Sequence, residues 1–218
     1  MVLAIFDVDH TLIPMDSLKS FGLFLWRKNG MALGKLSRFA PALLSWTLGW
    51  RNDEELKVSY LRMFLQGMAV TEAGALAREF AQSTLLPSVT REGAARIHWH
   101  RQERHQVVML SASPDIYLSF LAEALAADAL ICTRADQRDG CFTGEIVGAN
   151  CKGEQKVREL LARYRQEDVD WLSSYAYADS LSDVPILERV GHPVAVNAGG
   201  RLKRLAAQRR WRVEQWQD

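Results

Sequence analysis

Five short apolar runs punctuate the chain: Val2 to Phe6, Gln106 to Leu110, Ala129 to Cys132, Tyr175 to Ala178 and Pro193 to Val196. Each is close to continuously hydrophobic rather than alternating, the pattern of strands covered on both faces. Between the later runs the spacing becomes helical. One helix is predicted over Pro114 to Leu125, with Ser113 placed to cap it and Pro114 at its first position. A second runs from about Gly153 to Tyr164, with Val157, Leu160 and Leu161 on one face. A third runs from Val184 to Val190 and is stopped by Gly191. Strands alternating with helices predict an α/β fold on a parallel sheet, whose functional side chains gather at the carboxyl ends of the strands.

The rhythm breaks between about Asp16 and Leu86, where several helical patterns occur without a convincing strand. This predicts two units: a core from residues 1–15 and 87–218, and a helical cap, residues 16–86, inserted between the first and second strands. Within the insert, Asn52 followed by Glu55 reads as a capping box, and Leu56, Tyr60, Met63 and Phe64 as the apolar face of the helix it starts. The segment Asp139 to Ile146 has turn residues between two short runs and predicts a small hairpin.

Composition narrows the classes. With 218 residues and 48% apolar content, the chain suits one sizeable core plus an insert. Its 27 basic and 26 acidic side chains leave a formal charge of +1, so no overall field draws it to nucleic acid. Cys132, Cys141 and Cys151 are odd in number and lack metal-type spacing, which argues against a disulfide framework or zinc site and for a reducing cytoplasm. The first apolar run has no basic segment before it and no small-residue cleavage site, so secretion is not expected. The longest uncharged apolar stretch, Phe39 to Trp50, contains Pro41 and falls short of the roughly 20 residues a spanning helix needs. Peripheral contact with an anionic membrane stays open, through that stretch with Trp26 or through the six basic side chains between Arg201 and Arg212.

The candidate chemistry lies at strand ends. Asp7 and Asp9 directly follow the first run, with Thr11 in the same loop; Ser111 ends the second; Lys152 precedes a helix; Asp179 and Asp183 flank the turn after the fourth. Two acids at such spacing are, alone, more often a turn or cap than a catalytic pair. All of these polar groups together at the functional edge of a parallel sheet make chance hard to sustain.

The four segments Asp7-Val8-Asp9-His10-Thr11, Leu110-Ser111-Ala112-Ser113, Cys151-Lys152-Gly153-Glu154 and Ala178-Asp179-Ser180-Leu181-Ser182-Asp183 occur in order and resemble the motifs of the haloacid dehalogenase superfamily. The helical insert between the first two looks like the branch that includes phosphoserine phosphatases. This resemblance implies a Rossmann-like core with a mobile cap, and a magnesium-dependent phosphatase acting through an aspartyl-phosphate. Asp7 is then the nucleophile, and Asp9 the acid that protonates the departing alkoxide and later deprotonates water. Thr11, Ser111 and Lys152 hold phosphoryl oxygens. Magnesium sits among Asp7, Asp179 and the backbone carbonyl of Asp9, with Asp183 a ligand or the support of one. In related phosphatases an Asn often stands where this chain has Ser182.

The substrate implied is a small phosphomonoester, phosphoserine or a similar metabolite. Asp16, nine residues after Asp7, matches the acidic residue that receives the substrate's ammonium group in phosphoserine phosphatases, and Arg62 their carboxylate-binding arginine. The bland readings are a helix N-cap for Asp16 and a solvated helix face for Arg62. The apolar residues Phe39, Leu43, Leu44, Trp46, Leu48 and Trp50 favour instead a lipid phosphate, of the phosphatidylglycerophosphatase type. Transfer of the phosphoryl group to an alcohol is a further alternative, and a non-enzymatic phosphate-binding protein the least favoured. His98, His100 and His105 cluster loosely, but His98 and His100 point to different faces of a helix, which argues against a metal site there.

Overall fold

A computed structural model describes residues 1–29 and 53–216. Its centre is a seven-stranded sheet in the order β4-β3-β2-β1-β5-β6-β7. The strands are β1 (Leu3–Phe6), β2 (Gln106–Pro114), β3 (Ala129–Arg138), β4 (Cys141–Val147), β5 (Tyr175–Ala178), β6 (His192–Val196) and β7 (Arg212–Glu214). All neighbours pair in parallel except β3 with β4. The fold class read from the hydrophobic pattern is the one observed.

The reason for the continuous apolar runs is visible in β1. Ala4 and Phe6 enter a cluster with Tyr117, Tyr177 and Val196. Leu3 and Ile5 enter another with Val108, Leu160 and Ala195. Successive side chains point to opposite faces, and both faces are covered, so no position along the strand is free to be polar.

Two strands run further than their apolar cores. β3 continues through Arg138 because it turns back into β4 through Asp139 (φ 51°) and Gly140 (φ 76°). Two successive residues with positive φ are what a tight hairpin turn demands. The predicted hairpin is therefore the border of the main sheet. β2 continues to Pro114, and Ser113 belongs to the strand; the cap position of the next helix is Pro114, with no side-chain bond. Ser113 is not the helix cap the sequence suggested, and its hydroxyl is used elsewhere.

Between β1 and β2 lie α1 (Ser17–Asn29), α2 (Asp53–Leu65) and α3 (Val70–Phe80), a π-helical turn (Ala81–Leu85), a 3-10 turn (Leu86–Ser88) and α4 (Arg91–Gln102). Phe21, Leu61, Leu65, Ala77 and Phe80 from this stretch share the Phe6 side of the core, with Phe21 ring centroids 4.9 Å from Tyr117 and 5.1 Å from Phe80. The residues α2 buries are Leu61 and Leu65, not the predicted face, because α2 is packed from two sides. Toward α1, Gly22 lets Tyr60 approach so closely that a Cβ there would lie 1.9 Å from the phenol oxygen; toward β4, a Cβ on Gly144 would lie 2.7 Å from the Arg62 Cα. Asn52, and with it the predicted capping box, and the Phe39 to Trp50 run fall outside the described residues.

The remaining helices are α5 (Asp115–Ala124), α6 (Glu154–Arg163), α7 (Val184–Leu187) and α8 (Gly200–Arg209). The basic segment near the carboxyl end forms most of α8, which packs through Leu202 and Ala206 and leaves its charges exposed. Among the described residues, no helix is long and apolar enough to cross a membrane.

Candidate active site

The loop after β1 is a compact knot. The Val8 carbonyl accepts from the amides of Thr11, Leu12 and Ile13 at 3.2, 2.9 and 3.1 Å, and the Asp7 amide donates to the Tyr177 carbonyl at 3.0 Å. His10 takes a left-handed φ of 59°. This bend resolves the alternation problem for two acids two residues apart, since an extended strand would send them to opposite faces.

Asp7 faces a buried polar floor. Carboxylate oxygens of Asp7, Asp179 and Asp183 lie within 4.8 Å of one another. The Lys156 ammonium bridges Asp7 Oδ1 at 2.6 Å and Asp183 Oδ1 at 2.5 Å. The second Asp183 oxygen accepts from Ser180 Oγ at 2.7 Å. The Thr11 hydroxyl is 3.3 Å from Asp7 Oδ2 and 3.5 Å from Asp179 Oδ1. Its partners here are these acids, which places Thr11 at the floor of the site.

Lys152, expected to hold a phosphoryl oxygen, is exposed, one residue before Gly153 opens α6, whereas Lys156 is 3% exposed and reaches the acids. One helical turn separates the two. Lys156 shares a face with Leu160, four residues on, and a lysine on the apolar phase of a helix needs a counter-charge inside. That phase was the signal available in the sequence.

Asp9 faces another set of partners. Its Oδ1 accepts from the Ser17 amide at 3.1 Å, and its Oδ2 from Ser113 Oγ at 2.6 Å. Ser111, which is buried, accepts from the Ser113 amide at 3.0 Å. Ser111 thus stands at the carboxyl end of β2 as expected, and Ser113 is the residue that sequence reasoning misassigned.

Burial dominates the electrostatics. It pushes the Asp7 carboxyl up to about 8 against the pull of Lys156, with Asp183 and Asp179 adding to the rise. Burial also raises Asp9, opposed by its hydrogen bonds from Ser113 and Ser17. For Lys156, burial alone would lower the pKa, but Asp7 and Asp183 more than reverse it and hold the ammonium charged. Three carboxylates against one ammonium leave two negative charges when all are ionised. A hard divalent cation matches both that charge and the all-oxygen donor set.

The insert is wired differently from the expectation. Asp16 caps α1, its Oδ1 accepting from the Lys19 amide at 3.0 Å while its Oδ2 pairs with Lys19 Nζ at 2.9 Å. Arg62 pairs with Glu145 on β4, its Nε at 2.7 Å. The partners of Asp16 are those of a helix N-cap, and the partner of Arg62 lies on β4. Lys57, which the sequence did not single out, reaches from the insert to the end of β2, with the Ala112 carbonyl and Asn150 Oδ1 as its acceptors.

A profile of the haloacid dehalogenase-like hydrolases matches residues 4–188. The chain belongs to that family. A phosphoserine phosphatase of Mycobacterium tuberculosis is 29% identical over 213 residues, which is 96% of this chain and 69% of that protein. The crystal structure of a Bordetella pertussis protein with unknown function is 30% identical, covers 97% of both chains and superposes with a TM-score of 0.86. A phospho-aspartyl intermediate analogue of a phosphoserine phosphatase superposes with a TM-score of 0.67 at 18% identity, over 98% of this chain and 92% of that one. The last shares the fold. The chain is thus an enzyme of the hydrolase class.

Proposed function

We propose that this chain is a magnesium-dependent phosphatase of small phosphomonoesters, with Asp7 as nucleophile and Asp9 as general acid and base. What carries the reading is the division of labour between two acids two residues apart. Asp7 is aimed at Lys156, Asp179 and Asp183, while Asp9 is turned to Ser113 and Ser17.

Asp7, Asp179 and Asp183 would hold the magnesium, which when bound offsets the repulsion between a carboxylate and an anionic ester. The Asp7 carboxylate forms a bond to phosphorus as the ester P–O bond breaks. The departing oxygen takes its proton from Asp9, whose burial favours the protonated form at rest. Asp9, now a carboxylate, removes a proton from water, whose oxygen bonds to phosphorus and displaces Asp7. Ser113 and the Ser17 amide keep Asp9 oriented through both steps. Lys156 holds charge beside Asp7 and is the candidate for stabilising the transferring phosphoryl group, the role first assigned to Lys152.

The helical insert, residues 16–86, acts in this reading as the cap over the substrate. The relatives' names put phosphoserine in the first assay panel, beside glycerol phosphate, phosphoglycerate, a lipid phosphate and p-nitrophenyl phosphate. Phosphate release that requires magnesium, stops with chelator and is lost in Asp7→Asn is the expected result. Turnover that Asp7→Asn retains would overturn the mechanism.

A further inference from the structure

Lys57 sits one turn inside α2 and reaches out of the insert into the core. Both of its hydrogen-bond acceptors, the Ala112 carbonyl and Asn150 Oδ1, are neutral. Among the described residues no carboxylate forms an ion pair with it. Its two acceptors are themselves fixed: the Thr133 hydroxyl lies 2.6 Å from the Ala112 carbonyl and 3.0 Å from Asn150 Oδ1. Glu54, one turn earlier on α2, accepts from the Asn150 amide at 2.9 Å. The ammonium is therefore held by a rigid frame.

Its location is informative. Ala112 is the residue between Ser111 and Ser113, and Ser113 is the donor to Asp9. Asp9 and Asp16 are the carboxylates of this site whose fields reach Lys57, neither within ion-pair distance. Lys57 thus belongs to the Asp9 side of the site, where the leaving group departs, while Lys156 serves the Asp7 side. A partly buried cation without a counter-ion is costly, and a bound anion supplies what is missing. The groups expected to read an amino acid already have partners of their own, Asp16 in Lys19 and the α1 terminus, Arg62 in Glu145.

We propose that Lys57 selects the substrate by binding an anionic group on the leaving alcohol, so that the preferred class is a phosphorylated hydroxy acid without an amine rather than a zwitterionic amino-acid phosphate. This rests on the phosphatase reading. Lys57 is matched to a carboxylate, whereas Asp16, the insert acid whose field reaches it, is already paired with Lys19.

The test compares kcat/KM for phosphoglycerate, glycerol phosphate and phosphoserine, with p-nitrophenyl phosphate as a reference ester, in the wild type and in Lys57→Met and Lys57→Arg. The wild type is expected to prefer phosphoglycerate to both others by roughly 10- to 100-fold, the range of one charged hydrogen bond. Lys57→Met should collapse the ratio of phosphoglycerate to glycerol phosphate toward one, chiefly through KM, and Lys57→Arg should keep most of it. The wild-type preference needs no variant and stands even if Lys57→Met folds poorly. A wild type that favours phosphoserine or glycerol phosphate overturns the proposal, as does a Lys57→Met that loses all esters by the same factor. If p-nitrophenyl phosphate is hydrolysed in either case, the phosphatase reading survives. If no ester is hydrolysed with magnesium, both fall.

Discussion

Among the described residues, a lysine of the floor, Lys156, and a lysine of the insert, Lys57, stand in opposite surroundings. Lys156 lies between two carboxylates at 2.6 and 2.5 Å and is held charged by them. Lys57 has neutral oxygens as its hydrogen-bond partners and is pushed down to about 8, by burial first, helped by Lys152 and opposed by Asp9, Cys151 and Asp16. With its three carboxylates ionised, the floor keeps two negative charges beside Lys156, which a divalent cation would offset. The described part of the insert instead places at Lys57 a cation with neutral hydrogen-bond partners. In the function proposed above, the first serves the reaction and the second its selectivity.

The sharpest break of this comparison is at the nucleophile. Asp7→Asn should lower turnover by about 10⁴-fold or more while leaving the fold intact, measured as phosphate release beside a thermal melt. Lys156→Met should destabilise the protein by about 3–5 kcal/mol in denaturant melts, because two buried acids lose their partner. Lys152→Met should cost less than a third of that; equal losses would reverse the assignment of the two lysines. Magnesium at 100 times its Kd should stabilise the wild type by about 2.7 kcal/mol. Asp179→Asn should abolish most of that gain.

At the insert the expected effects are smaller. The preference for anionic leaving groups, followed as a kcat/KM ratio, should hold below about pH 8 and decline above it as Lys57 deprotonates. A ratio that is flat through pH 9 would separate Lys57 from substrate reading. Arg62→Ala should be the mildest, under about 1 kcal/mol of stability with an unchanged ratio of esters, because its pair with Glu145 is half exposed.

The sheet was largely legible because burial on both faces imposes continuous apolar runs on β1, β2 and β5. β7 was not: Arg212, Val213 and Glu214 form a short border strand whose side chains are not bound to alternate or be apolar. At the site, the convergence of Asp7, Asp179 and Asp183 was readable from their positions after strands. Lys156 was overlooked because Lys152 adjoins the helix start, while the buried phase belongs to the next turn. Ser113 was taken for a helix cap because proline follows it, yet the strand runs on and turns its hydroxyl to Asp9. Lys57 carries no local signal at all. Its meaning depends on Ala112 and Asn150, 55 and 93 residues away along the chain.

The sheet's two borders have a consequence for how the protein behaves in company. One border strand, β4, is already paired at its outer edge: the Gly67 amide donates to the Phe142 carbonyl at 2.9 Å and the Phe142 amide to the Met68 carbonyl at 3.0 Å. The other, β7, is three residues long with a charged side chain at each end. Unpaired strand edges are where foreign chains attach by extending a sheet. Here one is obstructed and the other too brief to template growth. Concentrated solutions of the folded protein should therefore resist fibril formation even though the strands between those borders are almost wholly apolar.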